Sequence, residues 1–463
     1  MEKVRENSWR LWLFIFAILG INTAILSTFW AFKLIAPHML DWGELEVLNA
    51  VYWWKRGFIP PYSSLDQIPA FANHYGPIYE GICAILPSFV HPYFTGRILS
   101  LLATLSILFT VALWVFYKTK NWSYSLLAVM LLLTAKPLFT FGIVHRVDAL
   151  AVGFSAIGFA LVLLTRHWLK VGLGVALMAL GFHTKLTAVA APIACIIALW
   201  REERRKALLV GGSWLLMAAV GLGILQIISD GNYLRHASLG NEPSEWLKPF
   251  DMITRPLTSS PFWVALAFYS WRITNACKSY AFKPELSYLA AALFIAGITA
   301  TNPGSSWNYL LDFYVALAML TGRLIWLAIQ KDTARNAVVS LLIAHALFAV
   351  LHTGYFNAKD IAKVQTYHRE FLDAKAKLGD IFANSHRIAI LGSGSAVDVA
   401  LSYGLPNYID LPSKMRRYAE ELAINALRKG QLDLVVIAKE KLEVITREKI
   451  GRIKVKCLIQ LDG

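Results

Sequence analysis

Residues 41–79 read DWGELEVLNAVYWWKRGFIPPYSSLDQIPAFANHYGPIY. This stretch follows the first long apolar run. It is too polar to span a bilayer and too aromatic for an ordinary solvated loop. Three carboxylates, Asp41, Glu44 and Glu46, fall within its first six residues. Their spacing puts Asp41 and Glu44 near one helical face and Glu46 off it. From Glu44 on, Leu45, Leu48, Val51, Tyr52 and Trp53 predict an amphipathic helix lying at a membrane interface. Trp53 and Trp54 would then sit at headgroup depth. Gly57 and the pair Pro60-Pro61 end it. A short apolar segment follows from Gly76 to about Val90. At roughly 15 residues it falls below the ~20 needed to cross a bilayer, so it reads as a juxtamembrane or re-entrant piece. The plain alternative is a structural loop carrying charges for solubility.

Outward from this stretch, composition bounds the class. The 463 residues are 57% hydrophobic and 16% charged, with a mean hydropathy of +0.50. Soluble domains carry about a quarter charged residues. Here the apolar residues come in long uncharged blocks, which predicts a mainly α, polytopic transmembrane bundle. Sixteen Trp and 18 Tyr suit interfacial belts. The net charge of +15 is read as topology-setting Lys and Arg in short loops plus headgroup contact, not as a nucleic-acid surface. Cys83, Cys195, Cys277 and Cys457 show neither metal spacing nor a disulfide framework.

Lys3, Arg5 and Arg10 precede an uncharged run from Leu11 to Phe32. That run is longer than the roughly 7–15-residue core of a signal peptide, so it reads as an uncleaved first helix with its N-terminus in the cytoplasm. Further spans are expected at about 93–117, 122–143, 147–165, 169–183, 186–200, 207–228, 259–275, 285–300, 308–329 and 336–355, eleven in all. Basic loops at Lys118–Lys120, Arg166–Lys170, Arg201–Lys206, Arg272–Lys283 and Lys331–Arg335 fall on one side of this alternation. The outer loop 33–92, the turns His145–Asp148 and His183–Lys185, and the loops Ser229–Ser260 and Asn302–Trp307 fall on the other. The same count places the C-terminus outside.

Beyond about Phe356 the chain holds 18 Lys and Arg against 13 Asp and Glu, a net of +5. Residues 356–463 read as a small extracytoplasmic α/β domain. Arg387–Leu391 and Leu434–Ile437 read as strands, Arg416–Lys429 as a helix and Val455–Leu461 as a further strand. The turn Gly392-Ser-Gly-Ser395 lacks the third glycine of a dinucleotide fingerprint, Val397 standing there. A tight strand-to-helix turn explains the glycines.

Charges in or at the mouths of spans are candidates for function, because burying them is costly. His145, Arg146 and Asp148 share an outer turn. Lys185 follows another, Lys136 precedes Pro137 near an outer helix end, Arg97 opens the second span and Asp312 lies one turn into the tenth. Local pairing and snorkelling to headgroups are the plain alternative.

In this order the motifs resemble the GT-C membrane glycosyltransferases. The first loop opens with Asp41-Trp-Gly-Glu44 and continues through Gly57…Pro61-Tyr62 and Tyr75-Gly-Pro-Ile-Tyr79. Gly96-Arg97-Ile-Leu-Ser opens the second span. Arg146-Val-Asp148, His183-Thr-Lys185 with Ala191-Pro192, Ser229–His236 and Gly304…Asn308-Tyr-Leu-Leu-Asp312 follow. The likeness is to the branch of protein O-mannosyltransferases and aminoarabinose transferases, and covers about 300 residues of the membrane part. One departure is that many members have adjacent acids where this chain has Asp41 and Glu44.

The resemblance implies an inverting transfer of a sugar from a polyprenyl-phosphate donor to a lipid, glycan or protein hydroxyl outside the cytoplasm. A hydroxyl needs a positioned carboxylate to take its proton, and a leaving phosphate needs cations. Asp41 is the expected base, with Glu44 and Asp148 as the other candidate acids. Lys185, Arg146 and Lys136 are the expected phosphate ligands. His145, His74, Tyr75, Tyr79, Asn308 and Tyr309 are expected to line the substrate site. No metal ligand set is expected, although outer-loop acids leave a divalent cation open as a cofactor; no oxygen-ligand spacing specifies one. Two other classes compete. A transporter or flippase would show internal repeats and midplane charges. A membrane anchoring subunit would need no acidic cluster.

Overall fold

The computed structural model describes residues 2–58, 61–238, 247–274, 282–301, 306–391, 394–403, 405, 407, 409–410, 416–438 and 442–446. They are mainly helical. Along the chain run α1 (Glu2–Ile35), α2 (Trp42–Lys55), α3 (Pro77–Ile85), α4 (Phe94–Thr119), α5 (Trp122–Leu133), α6 (Lys136–Phe141), α7 (Asp148–Leu164), α8 (Trp168–Thr184), α9 (Ala190–Leu199) and α10 (Arg204–Ile228). Then come α11 (Asn232–Ser238), α12 (Lys248–Ser259), α13 (Pro261–Thr274), α14 (Lys283–Thr299), α15 (Leu311–Ile329), α16 (Asp332–Ala383), α17 (Gly394–Ser402) and α18 (Arg416–Arg428). Five short strands complete the order: β1 (Ala70–Phe71), β2 (Ile388–Leu391), β3 (Ile409–Asp410), β4 (Leu434–Ala438) and β5 (Leu442–Thr446).

Two compact units divide the chain. The first holds residues 1–35, 96–222 and 241–361. The apolar runs read from the sequence fall largely on helix here, although of 186–200 only Ala190–Leu199 is helical. Among the described residues, five helical segments are long and apolar enough to cross a membrane: Arg10–Ile35, Phe94–Thr119, Arg204–Ile228, Trp307–Ile329 and Thr333–Ala383. The run 122–143 is broken into α5 and α6, because Pro137 at the start of α6 offers no N–H to continue the α5 ladder. Helices α7 and α8 pack closely through Gly158 and Gly174. A Cβ on Gly158 would lie 2.5 Å from the Gly174 carbonyl oxygen, so a side chain there would force the helices apart. The core around them is apolar and aromatic, with Trp114, Phe159, Trp263, Tyr288 and Tyr314 buried. Glu285 is fully buried and pairs with Arg323, and Trp114 Nε1 donates to the same carboxylate at 2.8 Å. Arg97 is buried too; its guanidinium donates to the Lys33 carbonyl at 2.8 Å and so ties α4 to the end of α1.

The second unit holds residues 36–95, 223–240 and 362–463. Residues 36–95 therefore fold with the C-terminal residues. β1 pairs parallel with β3, β2 pairs parallel with β4, and β5 closes antiparallel on β4. Residue 407 bridges to Ile388, linking the stretch before β3 to β2. The expected strands at 387–391 and 434–437 and the helix at 416–429 correspond to β2, β4 and α18. β1 and β3, at two residues each, are too short to read as strands in the sequence, and β5 is a further strand that the sequence reading does not include. The apolar face read on α2 is buried within this unit. Its residues Glu44, Leu45, Val47, Leu48, Asn49, Val51 and Trp53 are all buried. The Trp53 ring stacks on Phe71 with centroids 5.2 Å apart, and its Nε1 donates to the Asn407 carbonyl at 3.3 Å. An amphipathic stripe shows only that one face is apolar; here Met39, Leu45 and Leu48 share a core with Ile388, Ile390 and Val397. The strand read at Val455–Leu461, the residues Gly392 and Ser393, Gly304, Pro60, Cys277 and Cys457 lie outside the described residues.

Candidate functional site

In the first unit, one turn of 3₁₀ helix, Trp307–Leu310, gathers most of the charges read from the sequence. Asn308 Nδ2 donates to Asp148 Oδ1 at 2.8 Å. Lys185 Nζ donates to the same oxygen at 2.6 Å, and Arg146 Nε donates to Asp148 Oδ2 at 3.1 Å. The Tyr309 ring lies under Lys185 Nζ at 3.9 Å. Trp307 takes two further cations, Lys136 Nζ 4.2 Å from its ring centre and Arg255 5.0 Å from it. Lys136 also lies over Phe356 at 4.0 Å.

Local structure explains this convergence. Asp148 is the first residue of α7, where a carboxylate meets the positive end of the helix. Lys185 caps the C-terminal end of α8. The 3₁₀ turn directs three consecutive side chains to different partners: Trp307 to Lys136 and Arg255, Asn308 to Asp148 and Tyr309 to Lys185. Asp148 is 1% exposed with both oxygens engaged. Lys185 and Arg146 keep 11% and 12% of their side-chain surface exposed. One carboxylate against these two cations leaves a formal charge of +1. A cavity of ≈ 20 Å³ lies between Asp148, Lys185, Thr187, Asn308, Tyr309 and Asp312, about one water in size. Asp312 accepts from the Tyr288 hydroxyl at its edge. His145 is buried, and its ring packs where a Cβ on Gly96 would clash at 2.1 Å, which accounts for the glycine. Arg255 is the contributor that the sequence does not reveal. It sits in α12 four residues after its partner Asp251, a spacing that reads as an ordinary surface pair.

The remaining predicted residues belong to the second unit. Asp41 is the N-cap of α2: its Oδ1 accepts from Gly43 N at 2.9 Å. Glu44 is 0% exposed and its Oε2 accepts from Leu40 N at 2.6 Å. Tyr75 N donates to Asn73 Oδ1 at 3.1 Å, and Tyr62 donates its hydroxyl to the Tyr75 carbonyl at 2.8 Å. Tyr79 is fully buried and His74 half-buried.

Beside them lies a buried polar group, of which the motifs include only His236, the last residue of Ser229–His236. Asn73 Nδ2 donates to Glu80 Oε2 at 2.8 Å, and Asn73 N donates to His236 Nδ1 at 3.0 Å. The other His236 nitrogen reaches the Ser63 carbonyl at 2.7 Å. Burial pushes Glu80 up to about 8, against the Asn73 hydrogen bond that pulls it down. Burial also holds His236 down at about 4, against its bond to Ser63. The folded chain thus keeps a proton on Glu80 that the unfolded chain has released above its ordinary 4.5. Stability from this group falls as pH rises and levels off above about 8. His236 acts the other way, but only below its ordinary 6.5. From pH 6.5 to 8 the Glu80 contribution therefore stands alone of the two, with a slope of at most about 1.4 kcal/mol per pH unit. Thermal unfolding of the purified protein against pH is expected to show it, and Glu80→Gln to flatten it. An unchanged slope in that variant would refute the linkage.

Among the described residues, no group of three or more His, Cys, Asp or Glu side chains is placed to hold a metal ion. The acids near the cation cluster are already engaged, Asp148 by three donors and Asp312 by Tyr288.

No protein-family model and no curated protein matches this sequence. Solved structures do match. ArnT from Cupriavidus metallidurans bound to undecaprenyl phosphate superposes with a TM-score of 0.64 at 11% identity, covering 92% of this chain and 94% of that one. Its apo state gives 0.64 at 11%, covering 91% and 93%. The Archaeoglobus fulgidus oligosaccharyltransferase, in complex with Zn and sulfate, gives 0.52 at 12%, covering 91% of this chain and 67% of that one. At such identities the likeness speaks for the fold, and it runs through nearly the whole chain. With several helices of membrane length, this is a multi-pass membrane protein with the fold of the GT-C membrane glycosyltransferases.

Proposed function

We propose that the protein transfers a sugar from a polyprenyl-phosphate donor to an acceptor hydroxyl, with inversion at the anomeric carbon. The observation that carries this reading is the turn Trp307–Leu310, around which Lys136, Arg255, Lys185 and, through Asp148, Arg146 are gathered. Asp148 and Asp251 offset two of these four charges, and a lipid phosphate is the anion a membrane supplies to the positive charge that is left. The fold is shared with a protein crystallised with undecaprenyl phosphate. Here the phosphate lies against the exposed edges of Lys185 and Arg146. Asp148, with both oxygens occupied, acts as their counter-ion and holds them in place.

In the reaction, the acceptor hydroxyl gives its proton to Asp41 as its oxygen bonds to the anomeric carbon. The bond from that carbon to the phosphate oxygen breaks on the opposite side, and the electron pair leaves with the polyprenyl phosphate. Asp41 suits the role because it is only half-buried, whereas Glu44 is closed off inside α2's packing. Purified protein assayed against a panel of polyprenyl-phosphate sugars and hydroxyl acceptors tests the reading. Transfer from at least one donor supports it; transport of an intact lipid without glycosyl transfer would replace it with a flippase.

The same reading sets the orientation: N-terminus in the cytoplasm, eleven spans, and the C-terminal residues outside with the acidic loop. Single cysteines introduced between 390 and 460, in a background lacking the native four, are expected to react with an impermeant reagent added to intact cells. Protection there would reverse the orientation.

A further inference from the structure

Residues 36–41 form bends and belong to neither helix nor strand. Backbone N–H groups in such a segment have no ladder partner, yet Met39 and Leu40 are buried and their donors need acceptors. Side-chain carboxylates supply them. Leu40 N donates to Glu44 Oε2. Met39 N donates to Asp398 Oδ2 at 2.9 Å. Asp398 lies in α17, is 1% exposed, and with its other oxygen accepts the Tyr93 hydroxyl at 2.6 Å. A single carboxylate thus holds both ends of the outer loop 36–95: the residue two before Asp41, and the residue just before α4.

The middle of the loop is held by the same part of the unit. Asn407 N donates to Asn49 Oδ1 at 2.9 Å. Asn407 is itself locked to β2, accepting from Ile390 N at 2.9 Å and donating to the Ile390 carbonyl at 3.0 Å. Farther on, Ala70 and Phe71 pair with Ile409 and Asp410. Four separated points of the loop are therefore fixed to residues beyond 390.

We propose that Asp398 is a positioning residue, which sets the place and direction of Asp41 by fastening the two ends of the outer loop together. This rests on the reading of Asp41 as the base. Asp41 has no regular element on its N-terminal side, and the acceptors that hold residues 39 and 40 fix that side together with the His38 ring against His368 and Phe371. A base displaced by an ångström loses much of its effect on rate while leaving donor binding alone.

The test uses the full chain. Asp398→Ala is expected to speed amide hydrogen exchange in a peptide covering residues 37–48 by about tenfold or more. It should also lower kcat by about tenfold, with the KM for the donor nearly unchanged. Asp398→Asn should restore both, because its oxygen can accept from Met39 N while its amide donates to the Tyr93 hydroxyl oxygen. Should Asp398→Ala fail to fold, Tyr93→Phe removes the hydroxyl bond to Asp398 and keeps the ring. It is expected to give a smaller change of the same kind. Unchanged exchange at 37–48 in these variants overturns the proposal. Faster exchange with unchanged kcat also overturns it, and leaves glycosyl transfer standing. If the wild type transfers no sugar at all, the assignment of Asp41 falls and the positioning role with it, while the exchange data still decide whether Asp398 fastens the loop.

Discussion

Asp41→Asn is expected to lower sugar transfer by about 10²–10⁴-fold, the range that general-base catalysis contributes. Expression and membrane insertion should be normal. The carboxamide keeps an oxygen that can accept from Gly43 N, so the cap on α2 survives. What it loses is the capacity to take a proton. Glu46→Gln is the internal control: Glu46 is half-buried on the next turn of α2, and its loss should cost little. Transfer rates under saturating donor separate the chemical step from binding. Near-full activity in Asp41→Asn would end its assignment as the base. Glu44 is an unpromising heir, since its buried carboxylate already accepts from Leu40 N. Asp148 is no better placed, with three donors on its two oxygens.

Lys185→Ala is expected to weaken use of the lipid-phosphate donor by about 10–100-fold, the worth of one charge-assisted contact of roughly 1.5–3 kcal/mol. The fold should hold, because Asp148 keeps Arg146 and Asn308 as partners. The reverse deletion differs. Asp148→Ala would leave Lys185 and Arg146 facing each other without their anion, and breaking a buried pair in this way costs about 3–5 kcal/mol. Its loss of activity would then come with a loss of folded protein. Donor dependence measured at fixed acceptor, together with thermal stability, distinguishes the two variants. A folded Lys185→Ala protein with the wild-type donor dependence would remove Lys185 from the phosphate site.

Much of the charge cluster is legible in the amino-acid sequence. Arg146, Asp148, Lys185, Lys136, Asn308 and Tyr309 each stand out there as charges or polar groups at the mouths of apolar runs, where they are too costly to be casual. The fold joins them around one turn. Arg255 escapes notice because its nearest sequence partner, Asp251, gives it an ordinary explanation four residues away. Nothing local relates it to Trp307, 52 positions on. His236 ends a motif that the sequence shows, but its meeting with Asn73 and Glu80 escapes for the same reason: 163 positions separate Asn73 from His236. In helix α2 the packing within the unit is what the sequence leaves open. Its apolar stripe is real, and a membrane interface is only one of the surfaces that could cover it.

What the sequence determined by itself is the placement of helices. Backbone polar groups in hydrocarbon must be satisfied within their own segment, so a long uncharged run has one outcome and can be read locally. The likeness of motif order to the GT-C enzymes is also visible there, and the superposition with ArnT bears out that fold. Only the tertiary structure decided which side chains meet. The bonds that define the two candidate groups join residues 160 and 359 positions apart, Asp148 to Asn308 and Met39 to Asp398. A residue pattern reports the polarity of the face a segment presents. It carries no record of which distant segment folds back to cover that face, because that is settled by the packing of the whole chain.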